Sequence, residues 1–138
     1  MIVLDASAAI EWVLRGPAAA EIDTVLGDPG QEVGVPHLWS VETAQVLRRY
    51  ARLGEMSPER ARSALAILAE TPAARYPHEP LLDRAWQLRD NATMYDAVYL
   101  VLAETLDAPL VTGDGKLADV PGCRATVHLL GRQPSADG

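Results

Sequence analysis

Short apolar runs alternate along the chain with longer segments of helical period. Ile2–Leu4 is an apolar run that stops abruptly at Asp5, and residues 8–14 then read as a helix ended by Gly16. Pro17 suits the first turn of a second helix running to Leu26, and residues 27–30, GDPG, carry turn chemistry. Residues 32–35 predict a second strand closed by Pro36, followed by a long helix over 38–53 with Gly54 just past its end. Ser57 and Pro58 predict the cap and first position of a helix to Glu70. A short strand at 74–76, helices at 81–89 and 93–106, a strand at 110–112, a GDG turn at 113–115 and a last strand at 125–129 complete the series. Short strands alternating with helices predict an α/β fold: one three-layer α/β/α domain with a central, mostly parallel sheet.

A chain of 138 residues suits one domain, expected over 1–130, with a disordered tail at 131–138. No apolar run approaches the roughly 20 residues of a membrane span, and no basic stretch precedes the first one as in a signal peptide. Cys123 is the only cysteine, so no internal disulfide framework exists. These features predict a cytoplasmic protein without a membrane partner. The net charge of −7 argues against a broad electrostatic footprint on nucleic acid. It leaves room for a metal-dependent nuclease, because bound divalent cations invert the local charge of an acidic site.

Four acids sit in unusual places. Asp5 and Asp114 follow apolar runs that read as parallel strands, and ligands of open α/β sheets lie at such carboxyl ends. Asp5 or Ser7 is equally suited to cap the next helix, and the residues alone leave that choice open. Glu42 falls on the apolar face of the 38–53 helix, between Leu38, Trp39 and Val46. A carboxylate there needs an arginine partner or a metal. Asp96 lies in the first turn of the 93–106 helix, where Thr93-x-x-Asp96 also reads as a capping box. A helix leading back into a parallel strand runs antiparallel to it, so the starts of both helices lie at the strands' carboxyl edge. Asp5, Glu42, Asp96 and Asp114 therefore converge. Clustered carboxylates repel unless cations bind, and oxygen-only ligands select Mg²⁺ or Mn²⁺. Such a site suits phosphodiester hydrolysis by an activated water.

Other chemistries find less support. His37, His78 and His128 stand in no ligand spacing and read as structural, as does Cys123. GDGKL lacks the glycine and the Ser or Thr of a phosphate loop. The tryptophans and tyrosines are scattered as core residues are and form no base-stacking platform.

The segments VLDASAAIEWVL, PHLWSVE, TMYDAVYLVLAE and PLVTGDGKLA, in this order and spacing, resemble the PIN-domain ribonucleases, and within them the VapC-type toxins of toxin–antitoxin pairs. The resemblance implies an acidic metal site of Asp5, Glu42, Asp96 and Asp114, with Mg²⁺ bound chiefly through Asp5 and Asp96. It places Ser7 and Thr112 as supporting hydroxyls, and it implies an RNA substrate, a cognate antitoxin and a homodimer. Two alternatives are a haloacid-dehalogenase-like phosphatase and a non-catalytic acidic module of the same fold. The first needs a second Asp where Ser7 stands and has no use for Glu42.

Residues 48–62 carry five arginines against Glu55 and Glu59. Arg48, Arg49 and Arg52 are the candidate substrate contacts, set against a solvated hairpin with its own ion pairs. Apolar positions Leu65, Ile67 and Leu68 spread around the following helix and are candidates for facing another chain. A partner's arginine inserted among the acids is a plausible restraint on activity, since its fork pairs carboxylates.

Overall fold

In the computed structural model, residues 1–131 are described. The elements in chain order are β1 (Ile2–Leu4), α1 (Ala6–Val13), α2 (Ala19–Leu26), β2 (Val33–Pro36), α3 (Leu38–Arg52), α4 (Pro58–Glu70), β3 (Ala74–Tyr76), α5 (Glu79–Trp86), α6 (Met94–Leu106), β4 (Leu110–Thr112) and β5 (Val127–Leu129). A short 3₁₀ turn, Gly115–Leu117, follows β4. The five strands form one sheet in the order β3-β2-β1-β4-β5, and every pairing is parallel. The strand order reverses between β1 and β4. In an open parallel sheet the crevice outside the carboxyl ends at such a switch is the natural ligand site.

Helices α1 to α4 pack together, while α5 packs on α6 and α6 lies against β1, β2 and β4. This is the expected α/β/α arrangement. The core is aliphatic: Val3, Leu4, Val35, Leu100, Leu102, Leu110 and Val111 are all essentially inaccessible to solvent. α6 is buried along its whole middle, from Ala97 to Ala103, as its nearly all-apolar sequence requires. Gly34 lets α6 approach β2 closely, because a Cβ there would lie 3.0 Å from Leu106 Cδ1. No helix among the described residues is long and apolar enough to cross a membrane.

Where boundaries move, local hydrogen bonds explain the shift. Asp5, not Ser7, caps α1, so the helix begins at Ala6. α2 begins at Ala19 rather than at Pro17, because the Ala18 N–H donates to Glu11 Oε1 at 2.8 Å and holds residues 16–18 as a turn. α5 starts two residues early, with Pro80 in its first turn, where a missing N–H costs nothing, and it relaxes into turns after Trp86. β5 starts at Val127 rather than 125, because the N–H groups of Arg124 and Ala125 go to Glu104 Oε1 and Cys123 Sγ. Pro36 ends β2 inside the ladder, opposite Tyr76. The tail expected from residue 131 lies, from 132 onward, outside the described residues. Gly131 itself donates its N–H to Glu21 Oε2 at 3.0 Å.

Candidate active site

The carboxyl ends of β1 and β4, the first turns of α1 and α6 and one face of α3 enclose a pocket of about 510 Å³. Asp5, Glu42, Asp96 and Asp114 all line it. The local sequence dictates each position. Asp5 closes β1 and caps α1, while Asp114 follows β4 and caps the 3₁₀ turn. Thr93 caps α6, accepting the Asp96 N–H on its hydroxyl at 3.1 Å, and this leaves the Asp96 side chain at the helix entrance. Glu42 stands one turn into α3, half-buried beside the fully buried Trp39 and Thr43.

Asp5 is both a cap and a pocket residue. It is 5 % exposed, and its Oδ1 accepts the Ala8 N–H at 2.9 Å and the Ser7 hydroxyl at 2.7 Å. Its Oδ2 accepts the hydroxyl of the fully buried Thr112 at 2.5 Å. Ser7 Oγ in turn accepts the Gly113 N–H, and Thr112 Oγ1 accepts the Asp114 N–H, at 2.9 and 3.0 Å. The two hydroxyls thus lock the loop after β4 onto the end of β1. A carboxylate offers about four lone-pair sites, so three donors still leave Asp5 room for one further ligand.

The ionisation of these acids reflects a shared space. Burial pushes Asp5 above the ordinary carboxylate range, its three hydrogen bonds pull it back, and the Asp114 charge adds to the rise. Burial likewise raises Asp96, reinforced by Asp114 and opposed by Lys116 and Thr93. Glu42 is raised by burial first and then by Asp96 and Asp5, with Tyr99 acting against the rise. The four acids are thus coupled in a ring, with Asp5 and Asp96 each facing both Glu42 and Asp114.

Glu42 has no arginine partner among the described residues, which removes the ion-pair explanation for its burial. Among the described residues its Oε1 is buried without a hydrogen bond, and so is the hydroxyl of Tyr99. The donor set is all oxygen, its charges are clustered, and one buried carboxylate oxygen has no protein partner. These features fit a hard divalent cation. No three acidic, histidine or cysteine side chains among the described residues clasp an ion by themselves. A Mg²⁺-type site, in which water and substrate oxygens complete the shell, has no such requirement.

Of the candidate arginines only Arg49 lines the pocket; Arg48 and Arg52 are exposed elsewhere on α3. None of the three forms an ion pair among the described residues, and neither do Arg60 or Arg62, so the self-paired hairpin is not what forms. Arg49 instead lies 6.0 Å from the ring centre of Tyr50, another pocket residue. Two histidines make structural contacts, and His37 lies edge-on to His78 with ring centres 6.0 Å apart. His78 Nε2 accepts the Leu38 N–H at 2.8 Å, His128 meets Glu21 at 3.0 Å, and no histidine lines the pocket. The sequence reading missed Tyr99, although its place three residues after Asp96, between the apolar Val98 and Leu100 on α6, was a usable signal.

A family model described as the PIN domain matches residues 2–122. Ribonuclease VapC1 of Mycobacterium tuberculosis is 42% identical over 130 residues, an alignment that spans 93% of this chain and 96% of that protein. Ribonuclease VapC12 of the same organism is 37% identical over 130 residues, spanning 94% of this chain and 99% of that one. Among solved structures, VapBC2 from Rickettsia felis, bound to a DNA fragment, superposes with a TM-score of 0.68 at 13% identity, covering 94% of this chain and 99% of its own.

Proposed function

The chain belongs to the PIN-domain family, and from that premise we propose that it is a divalent-metal-dependent endoribonuclease acting as the toxin of a toxin–antitoxin pair in the cytoplasm. The observation that carries the reading is the convergence of Asp5, Glu42, Asp96 and Asp114 on one pocket at the sheet's switch point. Bound Mg²⁺ or Mn²⁺ supplies the charge that polarises a phosphodiester and acidifies an attacking water.

The chain's own residues do the rest. Asp5 and Asp96 would hold the cation, with Glu42 and Asp114 beside them in the same pocket. Ser7 and Thr112 fix the Asp5 carboxylate and the Asp114 loop, so the ligands meet RNA in a set geometry. Glu42, whose pKa is raised by burial and by two neighbouring carboxylates, is suited to accept a proton from water. No histidine stands ready for a metal-free mechanism among the pocket residues. The phosphatase reading gains nothing, because Ser7 occupies the place of its second Asp and is bonded to the first.

RNA is drawn in by Arg49 at the pocket wall rather than by a broad basic field. Arg49→Ala is expected to weaken RNA binding and to shallow the slope of log affinity against log salt by about 1. Arg48→Ala, away from the pocket, is expected to change that slope less. Equal slopes for Arg49→Ala and the native protein would exclude the contact.

A homodimer and an antitoxin complete the assembly. Leu68 belongs to the core, but Leu65 and Ile67 on α4 and Val41 and Leu53 on the α3 side are exposed, with Ile67 at 51% and Val41 at 68%. These exposed apolar side chains suit contact with a protein partner. Co-expression with the product of the adjacent reading frame should yield a stable complex in which RNA cleavage is suppressed, and proteolysis of the partner should release it. A lone chain that is harmless when overproduced and binds nothing from that frame would end the toxin reading.

A further inference from the structure

We propose that Tyr99 is a positioning residue: its hydroxyl donates to the Glu42 carboxylate and fixes where that carboxylate points in the acidic pocket. Tyr99 is 2 % exposed, and among the described residues its Oη has no hydrogen-bond partner and the buried Oε1 of Glu42 has none either. The two residues line the same pocket from α6 and α3. One is a donor without an acceptor and the other an acceptor without a donor. A buried phenol left unpaired costs more than a phenylalanine would at the same place. The stretch Ala97–Ala103 is otherwise apolar and fully buried, so packing alone gives no reason for a hydroxyl there.

Two of the other acids have neighbours that hold their carboxylates. Asp5 is fixed by Ala8, Ser7 and Thr112. Asp114 accepts the Lys116 N–H at 3.0 Å. Asp96 has a short side chain at the entrance of α6, where the Thr93 hydroxyl fixes its backbone N–H. Glu42 has the longest of the four side chains and no arginine, lysine or backbone N–H bonded to it among the described residues. Its carboxylate also faces the charges of Asp96 and Asp5, which push it away from the cluster. A neutral donor at the pocket's buried end is what keeps it in place. The Ser7 and Thr112 hydroxyls are committed to Asp5, and of the two buried donors left without a partner among the described residues, Trp39 Nε1 and Tyr99 Oη, only Tyr99 lines the pocket with Glu42.

The catalytic consequence rests on the nuclease reading, but the bond itself does not. In the metal-free protein, proton NMR with labelled tyrosine should show a slowly exchanging Tyr99 hydroxyl proton. It should be absent in Tyr99→Phe and displaced in Glu42→Gln. Mn²⁺ affinity, read from the free-ion electron paramagnetic resonance signal, should fall about 10-fold in Tyr99→Phe. The same substitution should add nothing in the Glu42→Gln background. RNA cleavage should lose kcat with KM unchanged. A hydroxyl proton indifferent to Glu42→Gln, or losses that multiply in the double variant, would overturn the proposal. If the native protein shows the coupled hydroxyl proton yet neither binds Mn²⁺ nor cleaves RNA, the bond stands and the nuclease reading fails.

Discussion

Replacing Asp96 with asparagine is expected to lower RNA cleavage by about a thousandfold or more while the fold stays intact. Asp96 is half-buried at the entrance of α6, and its side chain does not make the cap; the Thr93 hydroxyl does that with the Asp96 backbone N–H. An asparagine therefore leaves the helix start unchanged. It removes a charge that is partly desolvated and repelled by Asp114, so the metal-free variant should melt no lower than the native protein. A melting curve beside an RNA assay checks both halves. Asp5→Asn is expected to be equally inactive but less stable. An amide in place of Oδ2 cannot accept the Thr112 hydroxyl, and Thr112 is fully buried. Asp5 thus carries part of the fold as well as the site, and while its cap was legible in the sequence, its bond to Thr112 was not. Unfolding of Asp96→Asn, or full activity in it, would make that acid structural or irrelevant.

Thr112→Val has the second large effect, and it falls first on stability. The side chains are nearly isosteric, but Thr112 Oγ1 donates to Asp5 Oδ2 and accepts the Asp114 N–H at 3.0 Å. Valine leaves one bond fewer for a 5 % exposed carboxylate and strands a partly buried amide. The expected loss is about 2–4 kcal/mol, or a fall in melting temperature of roughly 10 °C. RNA cleavage should fall with it, because the same bonds set the Asp5 and Asp114 positions. Thr112→Ser keeps the hydroxyl and should recover most of the activity. A Thr112→Val protein with native stability would show that the Asp5 network contributes little.

Much of this was legible in the sequence because the informative signals are local. The short apolar runs at Ile2–Leu4 and Leu110–Val111 marked β1 and β4, and Ser57-Pro58 marked the start of α4. Connectivity alone brought Asp5, Glu42, Asp96 and Asp114 to one edge. Contacts between side chains distant in sequence were not legible. Ser7 and Thr112 are 105 residues apart, and no spacing rule places both around Asp5. The Glu11 bond to Ala18 and the Glu104 bond to Arg124 moved the starts of α2 and β5. The arginines of α3 read as one group, yet the helix turns Arg49 toward the pocket and leaves Arg48 and Arg52 off it.

The central claim is that metal held by these acids directs water, not the RNA 2′-hydroxyl, at the phosphodiester. Mapping the ends of RNA cut by the purified chain, with EDTA and after return of Mg²⁺ or Mn²⁺, tests it most directly. Cleavage should stop in EDTA and resume with either ion, leaving 5′-phosphate and 3′-hydroxyl ends. Undiminished cleavage in EDTA, or 2′,3′-cyclic phosphate ends, would contradict the account.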